Sequence, residues 1–545
     1  MRCQSVGQPC RNFQILGIER FREPRGGGEK VVLSNFAAGS TGCLVLVDPA
    51  TGEGETLALP GDSGAWALLN WRDEKLLVGT CGQYGYLHCL DLASRTWAEP
   101  LRDPHETYIW NLCLGSDGMV YGGTYPGCVL LRYDPARHRL ANLGRVSDNP
   151  DNLYSRMVYG GIPGHLLVAC SAAEPHLALW SLASGTARRF GRPGATLREI
   201  TADFICTQTD GELDLYDPRT FEPLEGDLSH RLAPPARPLR YAGMGFSVAL
   251  AGGGVLAVRG QEYYVDAGGP EPPALRPIPA ARPPTSILTL VADAQGRLWG
   301  SAGFGQTIFR FDPRTGETWN SEVVCDRGGE VYGMAWARGR LHLACYSGGD
   351  HVVYDPSLPW DQLGNVNPRA LEPAPRLIRP AGKSVVGPDG HVWTGWMAPY
   401  GVYGGGLSRV DVETLQVTCW HDPVPGQAVA GVAADETYLY LITSGAANGL
   451  PTRQEPLHFA VWSPAGHVVW EHTFAPAEPL HFVAASAGRV LLAVADRIEV
   501  FDPAALRFER SLRPDAPCHH LARLGPERVA AFCGDELWRI DPASG

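Results

Sequence analysis

Apolar and polar residues alternate over short stretches of the chain, as in KLLVGTC and YLHCLDL between Lys75 and Leu92. A period of two puts successive side chains on opposite faces of a strand, so these runs predict half-buried β-strands with almost no helix between them. Glycine, proline, asparagine and aspartate bound the runs, as turns require. The strands also come in groups. Residues 109–136 (IWNLCLGSDGMVYGGTYPGCVLLRYDPA) and 287–314 (ILTLVADAQGRLWGSAGFGQTIFRFDPR) repeat the same order of apolar strand, Asp/Gly turn, strand, Gly-rich turn, strand and closing Asp-Pro or its equivalent.

Asp-Pro after an aromatic or aliphatic residue punctuates the chain at Asp48, Asp134, Asp217, Asp312, Asp355, Asp502 and Asp541. Proline cannot donate to a ladder and ends pairing, while the aspartate carboxylate caps nearby backbone N–H groups, so these aspartates read as structural. Weaker copies carry Asp91, Ser181 and Asp411, and degenerate ones lie near Tyr264 and Trp462. This makes about twelve units at a spacing of roughly 40–50 residues with four short strands each, the signature of β-propeller blades. Twelve blades exceed one ring, so the expectation is an all-β fold of tandem β-propellers, divided 6+6 or 7+5. Residues 1–265 form the first ring, the Pro-rich segment 266–286 is a linker, and 287–545 form the second ring. The last unit stops after three strands, and the segment Phe13–Ile18 is a candidate for closing a ring.

With 545 residues, the high counts of 65 Gly and 45 Pro fit a turn-rich array rather than disorder. The formal net charge of −12 and the absence of basic runs argue against a nucleic-acid partner. No apolar run is long enough to span a bilayer, and the N-terminus lacks an apolar stretch followed by a small-residue cleavage site, so neither membrane insertion nor secretion is expected and cytoplasmic residence is. The 14 Cys are scattered without a CxxC pair and read as buried, reduced side chains.

The segments GMVYGGT (118–124) and GRLWGSA (296–302), each followed by a Gly-rich turn and by LRYD or FRFD, resemble the blades of two-component-regulator, NHL and quinoprotein-like propellers and of several propeller polysaccharide lyases. The resemblance covers nearly the whole chain and implies the fold. It leaves the activity open, because unrelated functions share the fold.

Propeller sites form where the innermost strands converge, so the residues at the start of each first strand are the candidates. Tyr108, Tyr154, Arg156 and Tyr332 are the candidate catalytic residues, and His105, Trp110, Arg198 and Lys383 the candidate substrate-binding ones. Tyrosine can move a proton, and arginine or lysine can offset the charge of a carboxylate as its α-proton leaves. With the resemblance to propeller lyases, these groups suggest β-elimination on uronic-acid-containing saccharides at an axial site of the N-terminal ring. The competing structural reading is that the tyrosines fill the tapered centre of the ring. No spacing identifies a cofactor; a divalent metal on His481 and His519 is the candidate, since some propeller lyases use histidine-rich metal sites. The expected partner is a saccharide or another small anion. The alternative is a non-catalytic double propeller that binds a ligand or a protein partner.

Overall fold

The computed structural model of the protein describes residues 5–225, 232, 238–241, 245–525 and 528–542. Among these residues the regular elements are β-strands, and no helix is long and apolar enough to cross a membrane. Strands adjacent in sequence pair antiparallel in up-and-down order, so each repeat makes its own small sheet. The fold is that of tandem β-propellers.

The chain divides into two compact units, Arg11–Ser286 and the chain from Ile287 onward together with residues preceding Arg11. In the first unit a four-stranded sheet spans Ile15–Arg22, Glu29–Asn35, Cys43–Val47 and Gly54–Ala58. A nine-stranded sheet follows, in which two repeats running from Gly64 and from Tyr108 are joined by one backbone partner pair, Tyr108↔Cys81. Sheets starting at Tyr154, Thr196 and Ser247 complete the unit. In the second unit, four-stranded sheets start at Ile287, Val331, Ser384, Ala428 and Leu480, and a three-stranded one at Cys518.

The repeated residues have local reasons. The aspartate that opens the first hairpin of a repeat bonds both the turn backbone and an aromatic side chain of the next strand. Asp293 accepts the backbone N–H groups of Gln295 and Arg297 at 2.9 Å each and the indole N–H of Trp299 at 2.9 Å. Asp389 does the same for His391 and Trp393, and Asp117 takes the Tyr121 hydroxyl at 2.8 Å. This satisfies the polar edge of rings that are otherwise buried in the sheet-to-sheet core. The glycine of the second strand marks where the next repeat presses close: a Cβ on Gly123 would lie 1.9 Å from the Ser155 carbonyl oxygen, and one on Gly395 2.7 Å from Val429 Cγ1. The Asp-Pro carboxylates cap turns, as Asp48 does for Ala50 and Thr51 and Asp502 for Ala504 and Ala505.

Two sequence expectations are corrected in detail. Of the Pro-rich segment 266–286, Arg276–Pro277 forms the outer strand of a sheet on Glu262–Asp266, and Ile278 is buried with Phe13, Val258 and Tyr263. Proline is tolerated there because an outermost strand needs no donor on its open side. The segment Phe13–Ile18 supplies no outer strand to the last sheet; Ile15–Arg22 is the first strand of its own.

That strand closes the first unit. Gln261, 1% exposed, accepts the Phe13 N–H at 2.6 Å and donates to the Phe13 carbonyl at 2.7 Å, while Asn12 donates to the Pro283 carbonyl at 3.2 Å. Gln261→Ala strands a buried N–H and a buried C=O, each costing about 1–3 kcal/mol, so a loss of about 2–6 kcal/mol is expected. Chemical denaturation reads it; an unshifted midpoint would show that other contacts hold the closure.

Candidate functional site

The first strand of most repeats carries a bulge near its start. The register slips past Trp66, Trp110, Arg156 and Arg198 in the first unit, and past Tyr332, His481 and His519 in the second. A bulged residue is left out of the ladder and its side chain is re-aimed, a device common beside active sites. Of the candidates read from the sequence, Trp110, Arg156, Arg198, Tyr332, His481 and His519 therefore occupy an equivalent position in their repeats.

Their surroundings differ between the units. In the first, Trp110 packs 5.0 Å from Tyr108, 5.4 Å from Trp66 and 5.7 Å from Tyr154, and Tyr125 stacks on Tyr154 at 5.0 Å. The Arg156 guanidinium lies 4.0 Å from the Trp110 ring centroid and 5.7 Å from that of Trp66. Tyr108, Trp110, Tyr154 and Arg156 thus come together as a packed aromatic cluster, and burial pushes the Tyr108 hydroxyl well above its usual range. His105 and Arg198 are exposed.

Tyr332 and Lys383 belong to the second unit, and Tyr108, Tyr154 and Arg156 to the first. Here Tyr332 meets a different set of partners. Arg379 donates to the Tyr332 hydroxyl at 2.5 Å, to Asn448 Oδ1 at 2.6 Å and to the Tyr400 hydroxyl at 3.4 Å. Its guanidinium also lies 4.0 Å from the Tyr346 ring centroid, and the Tyr346 and Tyr400 hydroxyls are 2.6 Å apart. Lys383 Nζ is 5.3 Å from the Tyr332 ring centroid. Lys383 has φ of 63°, a left-handed conformation that a residue with a side chain rarely adopts, immediately before the strand Ser384–Val386.

Behind these groups sits Glu330, 8% exposed, with Oε2 buried and without a hydrogen-bond partner. Burial raises its carboxyl to about 7 even though Arg379 and Lys383 pull it down. Burial lowers Lys383 below the usual lysine range and raises Tyr332 above the usual tyrosine range. A carboxylic acid, an amine and a phenol are thereby all drawn toward their neutral forms beside a permanently charged guanidinium. His520 is lowered by burial and then by the Lys383 charge, and its ring lies 4.9 Å from Phe482. His481 is exposed, and the side chain of His519 lies outside the described residues. No group of three His, Cys, Asp or Glu side chains suited to a metal occurs among the described residues.

Sequence reasoning missed Arg379, Tyr346 and Asn448. Arg379 ends a Pro-rich loop between repeats, and Tyr346 and Asn448 follow second strands, so none stands at the start of a first strand. Tyr400 is visible in the sequence only as an aromatic in a Gly-rich turn.

Fold and site together define a β-propeller repeat protein with a cationic, tyrosine-lined cluster in its second unit. No protein-family model matches the chain, and no curated protein matches it. Among solved structures it is similar to the extracellular domain of a putative one component system from B. thetaiotaomicron, at 12% identity over 99% of this chain and 83% of that one, with a TM-score of 0.34. It is also similar to the extracellular domain of a putative hybrid two component system from B. thetaiotaomicron (13%, 97% and 68%, TM-score 0.33) and to virginiamycin B lyase from Staphylococcus aureus (12%, 53% and 90%, TM-score 0.34). At these identities the likeness concerns the fold alone. The expectation of cytoplasmic residence is corrected only so far: the sensor-system structures similar to nearly the whole chain are extracellular domains.

Proposed function

We propose that the second unit binds a small carboxylate-bearing ligand, with a uronic-acid saccharide as the class that fits best, and that the same cluster carries out β-elimination on it. The observation that carries the reading is the convergence of Arg379, Lys383 and Tyr332, with both cationic groups within 5.4 Å of the Tyr332 ring centroid. Base, charge-neutralising group and proton donor then lie within one sugar's reach.

In this reading Arg379 holds the substrate carboxylate and offsets the charge that builds on it as the α-proton leaves. Lys383, its affinity for protons weakened by burial, is the base: its amine takes the C5 proton, the C5–H electron pair becomes the C4–C5 double bond, and the C4–O bond breaks. Tyr332, kept as the hydroxyl by burial, protonates the departing oxygen. Tyr346 and Tyr400 present ring surface and hydroxyls to the sugar. The proposal moves the site from the N-terminal ring to the second unit, because Tyr108 and Tyr154 are engaged in aromatic packing.

Incubation with uronate oligosaccharides should yield an unsaturated product absorbing in the near ultraviolet. Lys383→Ala should stop product formation while calorimetry still detects binding, and Arg156→Ala in the first unit should leave both intact. Full turnover by the Lys383→Ala protein would remove Lys383 as the base. Neither binding nor product across a panel of uronates would overturn the reading in favour of a non-catalytic assembly scaffold.

A further inference from the structure

A cavity of about 600 Å³ lies within the second unit and is lined by the first strands of all six of its repeats. Val291, Val385, Val432, Val483 and Leu521 come from five of these strands, and the other lining residues are also chiefly valine, alanine, methionine and tryptophan. The volume is that of a small-molecule site. The lining starts at Ser384, one position past Lys383, and at Val483, two past His481, so the cavity lies further along the strands than the polar cluster, at roughly 3.3 Å per residue. Its chemistry is also different. One charged side chain, Arg523, occurs among the described lining residues; it is exposed, and its Nε donates to the Gly525 carbonyl at 3.2 Å.

An apolar wall with a single guanidinium selects a ligand with an apolar body and one anionic end. A uronic-acid saccharide has the anionic end but not the apolar body, because its hydroxyls would lose water against valine and alanine without replacement partners. We propose that this cavity is a second ligand site, independent of the polar cluster, and that it takes an unbranched aliphatic carboxylate whose chain lies among the six strands and whose carboxylate pairs with Arg523. Val386, 42% exposed and also part of the lining, leaves apolar surface open to an arriving chain.

The test is calorimetric titration of the full chain with free saturated alkanoates of increasing length, below the concentrations at which they form micelles. Each added methylene should tighten binding about fourfold until the cavity is filled. Arg523→Gln should weaken every member of the series by about tenfold while keeping that dependence on length, because it removes the headgroup contact alone. Val386→Glu, at an exposed position where folding tolerates the change, should abolish binding by placing a carboxylate in the apolar wall. Arg379→Ala should leave the series unchanged, which separates this site from the polar cluster. Affinities that do not depend on length, binding that Arg523→Gln leaves untouched, or no binding at millimolar alkanoate would overturn the proposal.

Discussion

Replacing Arg379 with alanine is expected to weaken binding of a uronate oligosaccharide by about a hundredfold or more. A hydrogen bond to a charged group is worth about 1.5–3 kcal/mol, and a guanidinium gripping a carboxylate makes two of them. The side chain also positions its neighbours, since it bonds Tyr332, Tyr400 and Asn448 at once. Truncation therefore removes the anion contact and frees the tyrosines around it. Arg379→Lys keeps the charge but cannot form the planar fork, so it should recover only part of the loss. Isothermal titration of both variants, with thermal unfolding as a control for folding, checks this. Binding by a well-folded Arg379→Ala protein at the parent affinity would place the ligand elsewhere.

Glu330→Gln is expected to change how stability depends on pH. The folded carboxyl titrates near 7 because it is buried, against 4.5 for the ordinary group. An acid whose pKa is raised by folding contributes its full stability below the unfolded value, and that contribution is lost as pH rises through the folded value. In the parent protein, unfolding free energy should thus decline between about pH 4.5 and 7. The loss is about 1.4 kcal/mol per pH unit, or about 3 kcal/mol in all, an order-of-magnitude figure. The glutamine variant holds a neutral group at every pH, should lack this decline, and should be the more stable protein at pH 8. Denaturant titrations at a series of pH values read the difference; parallel curves for the two proteins would mean that Glu330 is ionised in the folded state well below pH 7.

Much of the fold is legible because its repeats rest on local chemistry. The hairpin aspartate at Asp293 and Asp389, the glycine under the next repeat at Gly123 and Gly395, and the Asp-Pro cap at Asp48 and Asp502 recur in the sequence and do the same work at these places. The site is legible only in part. Trp110, Arg156 and Tyr332 stand out at the starts of first strands, and each is the residue at a bulge. What the pattern does not carry is the company each bulged residue keeps. Trp110 meets Trp66 and two tyrosines, whereas Tyr332 meets Arg379 and Lys383, and these partners come from other repeats and from loops without periodicity. The segment 266–286 failed as a linker for a similar reason, since proline enrichment suits both a free connection and an outermost strand.

The closure of the first unit by Phe13 and Gln261 has a consequence for how the protein is made. The two residues are 248 positions apart. At the usual 5–20 residues per second of translation, Phe13 waits roughly 12–50 s on the ribosome before the residue that satisfies its backbone has been assembled. During that interval Phe13 and Ile15 can pack on Val31, Leu33, Val45 and Val47 of the same sheet but lack Leu256, Val258 and Tyr263, which complete their core. The strand is thus made well before its shelter is complete. An incomplete sheet of this kind leaves apolar surface uncovered, the condition under which nascent chains are prone to aggregate.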